Sequence, residues 1–297
     1  MACLLWLLFS SVTPMDALIL SMTTVSTGGM TPYNAPIDTY VPPLGQIGLI
    51  AFMIIGGTSI VWQGAILRRD VQQLARHREA YYTIGTIIIL GIVIGLMYQL
   101  RSAADLSGAM TALREGLFAA ASLVSTTGYH VREESFSVLP IGVVFAFLLV
   151  GGCALSTAGG LKMFRVGILC AQSVRELSLS LFPHGVEPLN VGGRRWQADA
   201  LQGIYAVVLV FVLVLGLTVA VLSYQGLAFE PTIVAGIAAL SNAGPVYGAG
   251  PDAQLPWPPL SSFGSASLAA LSGAMIMGRV EVLVFFSVIN LTYWRSR

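Results

Sequence analysis

The sequence predicts an all-α integral membrane protein built from tandem repeats. Each repeat consists of a helix, a re-entrant half-helix, a polar loop and a second helix. Three observations predict this fold class: the composition is strongly apolar, stretches long enough to cross a bilayer recur along the chain, and one short polar pattern occurs three times.

The composition excludes an ordinary soluble domain. Of the 297 residues, 56% are hydrophobic and 10% are charged, and the mean hydropathy is +0.80, whereas soluble domains carry about 25% charged residues. The net charge of +1 gives no indication of a nucleic-acid partner. Cys3, Cys153 and Cys170 are far apart in apolar surroundings, so we expect free thiols and neither a disulfide nor a zinc site.

Apolar stretches near the roughly 20 residues that a helix needs to cross a bilayer occur along the whole chain, and a cleaved signal peptide would account for none of them. The predicted spans are 44–67, 81–100, 139–170, 198–222 and 265–294. Basic residues cluster in the connections 68–78 and 162–195 and at the end of the chain, whereas the opposite connections are mainly acidic. By the positive-inside rule the basic connections lie in the cytoplasm.

One polar pattern occurs three times, in TVSTGGM (24–30), LVSTTGY (123–129) and ALSNAGP (239–245). Each copy has a serine, then Thr or Asn, then one small residue and a glycine. An acidic residue precedes that glycine by thirteen positions in the first two copies and by fourteen in the third: Asp16, Glu115 and Glu230. Each acid starts about ten residues of mostly apolar chain, too few to cross a bilayer, so we predict three re-entrant half-helices.

Internal repetition of this kind divides the chain into units. The predicted domains are a partial repeat at 1–79, whose first helix is only a stub, a repeat with a broken inner helix at 80–190, and a further repeat at 191–297.

The repeated loops have the composition of a path for a monovalent cation. A half-helix that dips inward places its carbonyl end, with about half a negative charge, near the middle of the membrane. Glycines allow the following backbone to turn its oxygens toward a dehydrated ion, and neutral side chains suit a monovalent cation. The alternative is that these small residues only let helices pack closely. The candidate filter residues are Ser26, Thr27, Gly28, Gly29, Ser125, Thr126, Thr127, Gly128, Ser241, Asn242, Ala243 and Gly244.

A second polar segment, GGCALSTAGG (151–160), interrupts the predicted span 139–170. Each glycine costs a helix about 1 kcal/mol relative to alanine, so we predict a break; a packed helix with a glycine kink is the alternative. Lys162 follows the segment and either lines an inner vestibule or anchors the chain at the inner surface. Arg279 lies in the last predicted span, where an arginine usually faces a cavity or a partner; a structural ion pair or snorkelling to the interface is the alternative.

The segments GGCALSTAGGLKMFR (151–165), LSNAGPVYG (240–248) and GRVEVLVFFSVINLTYWRS (278–296) resemble the Trk/Ktr/HKT superfamily of potassium transporters, most closely its bacterial TrkH/TrkG branch. The resemblance covers essentially the whole chain. That family has four repeats around a pseudo-symmetric pore, and the three repeats here match its second, third and fourth.

The resemblance implies the pore-forming subunit of a Trk-type potassium uptake system, multi-pass in the cell's inner membrane. Potassium would bind the filter residues through backbone carbonyls, and no cofactor is implied. A homodimer and a cytoplasmic nucleotide-binding regulatory subunit of the TrkA type are further expectations. We place the regulator's contact at 68–78 and 162–195, with anionic lipid headgroups as the alternative.

The resemblance also gives the glycine-rich break a role as an intramembrane gating loop. Its residues would be Gly151, Gly152, Ser156, Thr157, Ala158, Gly159 and Gly160. Arg279 would lie near this loop and oppose cation passage.

Two other functions stay open at this point. The chain is a truncated, non-conducting transporter if the unmatched first repeat is essential. An intramembrane serine hydrolase with Ser156 as nucleophile would need a base nearby, and since no histidine falls in a predicted span we expect no enzyme.

Overall fold

The computed structural model describes residues 1–102, 106–132, 135–136, 138–182, 190–191, 194–195, 198–248 and 257–280. Within these ranges the chain is helical, with one antiparallel pair of two-residue strands, β1 (Asn190–Val191) and β2 (Arg194–Arg195), and two 3₁₀ turns, Ile37–Thr39 and Leu260–Ser262. The helices are α1 (Ala2–Phe9), α2 (Pro14–Val25), α3 (Pro43–Gly57), α4 (Ile60–Leu67), α5 (Val71–Arg76), α6 (Arg78–Ser102), α7 (Leu106–Val124), α8 (Ile141–Val150), α9 (Met163–Leu181), α10 (Ala198–Tyr224), α11 (Phe229–Leu240), α12 (Pro245–Gly248) and α13 (Ser265–Val280). The expected all-α fold is confirmed over the described residues.

Among the residues that the structure describes, two helices are long and apolar enough to cross a membrane, 78–101 in α6 and 201–224 in α10. A third candidate is the pair α3 and α4, which is bent by 106°. Helix α13 covers the first part of the predicted span 265–294, and the rest of that span lies outside the described residues.

The predicted span 44–67 is not one straight helix, because the chain turns sharply between α3 and α4. Thr58 adopts an extended conformation with ψ 159°. The carbonyl oxygens of Gly56 and Gly57, left without helical partners at the end of α3, accept hydrogen bonds from Thr157 N (3.3 Å) and Cys153 N (3.0 Å). The break therefore pairs with the glycine-rich segment.

Two of the three predicted short helices have the predicted length. Helix α2 starts with a capping arrangement in which Thr13 Oγ1 accepts from Asp16 N (3.3 Å) and Pro14 fills the first helical position. Helix α11 is also 12 residues long, with Glu230 in its first turn.

The third short helix is longer than predicted. Helix α7 has 19 residues and starts at Leu106, because the upstream Ala, Leu, Met and Arg residues are good helix formers. Glu115 therefore lies inside the helix. It is buried and pairs with Arg132 at 2.9 Å, so it does not form part of an exposed acidic surface as expected.

Helices α7 and α11 lie at the centre of the packing. The larger apolar cluster joins buried side chains of α1, α2, α3, α6, α7 and α8, and a second joins those of α10, α11 and α13. Small residues bring α6 against α7, since a Cβ on Gly116 would lie 2.4 Å from Gly91 O and Gly95 N. Close packing through small residues thus operates at this crossing.

Candidate functional site: three helix ends and a crossing loop

The helices α2, α7 and α11 end in the same way. Each is followed by a serine and then by a residue in the left-handed region, with φ 52° at Thr27, 56° at Thr126 and 56° at Asn242. We call residues 26–29, 125–128 and 241–244 the first, second and third loops. Left-handed backbone is uncommon for residues other than glycine, and especially for the β-branched threonine. Its recurrence at three equivalent positions therefore indicates that one local geometry is repeated within this chain.

The same pair of backbone hydrogen bonds closes each helix end. In the first loop, Gly28 N donates to Thr23 O (2.8 Å) and Thr27 N to Thr24 O (3.1 Å), which is the Schellman arrangement. The equivalent bonds recur in the other two loops: Thr127 N to Ser122 O (3.0 Å), Thr126 N to Leu123 O (3.1 Å), Ala243 N to Ala238 O (2.8 Å) and Asn242 N to Ala239 O (3.0 Å).

The three loops lie side by side. A Cβ on Gly29 would lie 1.9 Å from Thr127 O, and one on Gly128 would lie 3.1 Å from Ala243 O. The backbone at Gly29 (φ 69°) and Gly128 (φ 83°) is also left-handed. Gly244 has neither property, so the expectation that all three glycines supply special backbone geometry holds for only two of them.

The predicted break in the span 139–170 is present. Helix α8 ends at Val150 and α9 begins at Met163, and we call residues 151–162 between them the crossing loop. Its two ends are joined by hydrogen bonds from Leu161 N to Leu149 O (2.8 Å) and from Met163 N to Gly152 O (2.9 Å). Gly151, Leu155, Gly160 and Lys162 have positive φ angles, so the break forms a compact loop rather than a kink.

The crossing loop contacts all three helix ends. Thr27 Oγ1 donates to Thr157 O (2.8 Å), and Gly159 N donates to Thr126 Oγ1 (2.7 Å). A Cβ on Gly159 would lie 2.0 Å from Ser241 O. The candidate filter residues and the candidate gate residues are therefore neighbours in space.

Arg279 reaches both parts of this site from α13. Its guanidinium donates to Thr157 O (2.7 Å) and to Ser26 O (2.6 Å). A positive group thus occupies the carbonyl end of α2, where the helix dipole favours a cation. Glu281, its neighbour in sequence, lies outside the described residues.

Lys162 fits neither sequence-based expectation. It is 7% exposed and neither lines a vestibule nor anchors the chain at a surface. Its Nζ donates to Ser156 O (3.3 Å) and to Ala158 O, so it fixes the carbonyl oxygens inside the crossing loop. Ser156 Oγ donates to Cys153 O (2.6 Å).

Two tyrosines that are not among the candidate site residues form hydrogen bonds next to the loops. Tyr129 is fully buried, and its hydroxyl bonds Thr23 Oγ1 and Met30 O, which ties the second loop to the first. Tyr247 donates to Pro258 O (2.9 Å) after the third loop. The only sequence signal is a tyrosine shortly after each loop.

Comparisons with known proteins identify the family of the chain. The sequence model of the TrkH family, described as "Cation transport protein", matches residues 5–290. The chain belongs to the TrkH family of cation transport proteins. TrkH-family proteins are membrane transporters rather than enzymes, so the hydrolase alternative is excluded and the expectation of no enzyme is confirmed.

The chain is similar to several characterised relatives. It is 25% identical to the Trk system potassium uptake protein TrkH of Salmonella typhimurium, over 99% of this chain and 60% of the relative. It is 29% identical to TrkI of Halomonas elongata, over 96% of this chain and 57% of the relative. The crystal structure of the potassium transporter TrkH from Vibrio parahaemolyticus matches with a TM-score of 0.85 at 23% identity, over 99% of this chain and 62% of that one. The chain thus spans about 60% of the length of these TrkH-family relatives.

Proposed function

We propose that this chain forms the potassium permeation path of a Trk-type uptake system in the cell's inner membrane. Its relatives are named as potassium uptake proteins. The observation that supports the proposal most directly is the meeting of three identically capped helix ends at one crossing loop. The carbonyl ends of three helices together make a region of negative potential, which attracts a cation.

In this proposal the first, second and third loops are the selectivity filter. Backbone oxygens of 26–29, 125–128 and 241–244 replace the water around a potassium ion, and the absence of carboxylates from these loops suits a monovalent ion. The positive φ angles at Thr27, Thr126 and Asn242 hold the backbone in one orientation. The tyrosine tie between the first two loops limits how far their oxygens separate.

The crossing loop is the proposed gate. Its contacts with all three helix ends support a position across the inner side of the filter in this proposal. The Arg279 guanidinium adds a positive charge to the loop that would oppose a passing cation. Movement of the loop would have to break contacts with Thr27, Thr126 and Arg279 together.

We further propose that the protein acts as a homodimer regulated by a cytoplasmic nucleotide-binding subunit of the TrkA type. The basic connection 68–78 and the described part of 162–195 are the proposed contact. Anionic lipid headgroups would be attracted to the same charges, so competition by anionic lipid vesicles is part of testing this contact.

Rubidium uptake tests the filter. The assay uses potassium-starved cells that lack other potassium uptake systems and compares this chain with the chain carrying its native flanking sequence. Gly128→Asp should abolish uptake, because a carboxylate would enter the ion's path and the left-handed backbone at Gly128 resists any side chain. The matched control is Gly167→Asp, on an exposed glycine of α9 with no heavy atom within 4 Å of its Cβ position among the described residues.

The outcome separates the proposal from its alternative. Uptake that is lost in Gly128→Asp and kept in Gly167→Asp supports the filter assignment, whereas unchanged uptake and selectivity in Gly128→Asp refute it. If only the protein with the flanking sequence takes up rubidium, the filter assignment stands, but the 297-residue chain alone is not sufficient for transport. A chain that conducts with neither is the non-conducting alternative.

A further inference from the structure

One carboxylate binds the crossing loop at residues other than those that contact the three helix ends. Glu79 is the second residue of α6, and its Oε1 accepts hydrogen bonds from Ala154 N (2.7 Å) and Phe164 N (3.1 Å). Ala154 lies near the start of the crossing loop and Phe164 just after its end. A single side chain therefore bridges both ends of the loop.

The bond to Phe164 also caps a helix. Phe164 is the second residue of α9, so its N–H is one of the donors that have no partner within the helix. An anionic oxygen at this place interacts favourably with the helix dipole as well as with the N–H group. Charge-assisted bonds of this kind are about twice as strong as neutral ones, so Glu79 fixes the start of α9 and the loop together.

A second contact on the same face of α6 repeats the bridge one turn later. Thr83 is fully buried, and its Oγ1 lies 3.0 Å from Cys153 Sγ and 3.3 Å from Met163 Sδ. Residues four apart on a helix face the same way. Glu79 and Thr83 thus both contact the start of the crossing loop, at 153–154, and the residues just after its end, at 163–164.

The segment 60–79, which ends at Glu79, also contacts the crossing loop through its first residue. Ile60, the first residue of α4, donates its N–H to Leu155 O (3.1 Å). The segment 60–79 begins with the hydrogen bond to Leu155 and continues through α4 and α5, which carry basic residues. It ends at Glu79, which is hydrogen-bonded to the adjacent Ala154. Both ends of this segment are therefore attached to neighbouring residues of the crossing loop.

We propose that Glu79 is a positioning residue that couples the segment 60–79 to the crossing loop, so that a displacement of the segment moves the loop relative to the three helix ends. Lys162 completes the arrangement from inside the loop, where its positive charge interacts with Glu79 and its Nζ binds the loop carbonyls. The coupling determines the position of the crossing loop. Its effect on ion flow rests on the proposed function, in which this loop is the gate.

Native thiols report the position of the loop without any need for transport. Cys153 is fully buried within the crossing loop, Cys3 is 2% exposed in α1 outside it, and Cys170 is exposed. In a Cys170→Ser background, the labelling rates of Cys153 and Cys3 by a charged thiol reagent are measured on the purified protein. Glu79→Ala should raise the rate at Cys153 by about tenfold or more, the effect of losing hydrogen bonds to a charged group, and leave Cys3 unchanged.

Two control variants complete the test. Glu79→Gln keeps an acceptor oxygen without the charge, so its effect at Cys153 should be smaller than that of Glu79→Ala. Glu176→Ala removes an exposed carboxylate of α9 that pairs with Gln172 (2.6 Å), and it should change neither thiol. An unchanged rate at Cys153 in Glu79→Ala overturns the proposal, and so does an equal rise at both thiols, which would assign Glu79 to general stability.

A flux measurement separates this inference from the proposed function. The same variants, reconstituted in vesicles of neutral and anionic phospholipid, are assayed for potassium leak, and Glu79→Ala should leak more than Glu79→Gln. Selective labelling of Cys153 with no potassium flux in any variant supports the coupling and counts against the proposed function. Potassium flux in the unmodified protein, together with an equal rise at Cys153 and Cys3 in Glu79→Ala, supports the proposed function and counts against the coupling.

Discussion

Replacing Gly29 by alanine places a methyl group where the second loop already lies. The added Cβ would be 1.9 Å from Thr127 O and 3.1 Å from Pro245 Cδ. The first of these neighbours is a backbone atom of the second loop, and Thr127 is fully buried, so it cannot rotate away as a flexible side chain would. The φ of 69° at this position adds a second penalty, because left-handed backbone disfavours any Cβ.

The two penalties set the size of the effect. The left-handed conformation costs an alanine about 1–2 kcal/mol, and forcing an extra methyl into a packed region costs about 1–3 kcal/mol. We therefore expect Gly29→Ala to lower the free energy of unfolding by about 2–5 kcal/mol. The matched control is Gly244→Ala in the third loop, where the φ is not left-handed and no heavy atom of the described residues lies within 4 Å of the Cβ position.

The assay is denaturant unfolding in detergent, in which the loss of the helical circular dichroism signal measures unfolding. Gly29→Ala should unfold at lower denaturant than the unmodified chain, and Gly244→Ala should unfold with it. Equal stability of the two variants would show that the first and second loops are not in the contact described, and the side-by-side arrangement of the loops would then have to be abandoned.

Two further substitutions test the contacts of the crossing loop. Arg279→Ala should increase potassium leak from vesicles, because it removes the positive charge bound to Thr157 O, whereas Arg279→Lys should leak less than Arg279→Ala; a leak equal to that of the unmodified protein would remove Arg279 from the gate. Thr126→Val leaves the buried Gly159 N–H without its acceptor and should lower the free energy of unfolding by about 1–3 kcal/mol, measured by denaturant titration. A loss no larger than that of Thr126→Ser, which keeps the hydroxyl, would contradict the contact.

Local patterns in the sequence were enough to predict the repeated elements. The short helices α2 and α11 and the break after α8 follow from segment length and from glycine content, which are properties of neighbouring residues. A helix that starts at Glu115 is too short, because α7 extends upstream to Leu106. A charged residue marks a helix start only where no good helix formers precede it, and here Met110, Ala112 and Leu113 do.

Contacts between distant residues explain what the sequence could not predict. Glu79 acts on residues 75 and 85 positions away, and Lys162 binds carbonyl oxygens, which no side-chain pattern reveals. The bend after α3 did carry a signal, the run GGTS at 56–59. Its meaning depends on the crossing loop, whose N–H groups satisfy the carbonyl oxygens that the bend exposes.

The left-handed residues that follow α2, α7 and α11 have a structural consequence. Glycine would suit the backbone best at all three sites, yet the chain has Thr27, Thr126 and Asn242, whose side chains reach Thr157, Gly159 and Met275 respectively. Strain in the turns is thus tolerated where it supplies an anchoring atom. Each turn is therefore tied by a side-chain hydrogen bond to a segment far away in the sequence, the first two to the crossing loop and the third to α13.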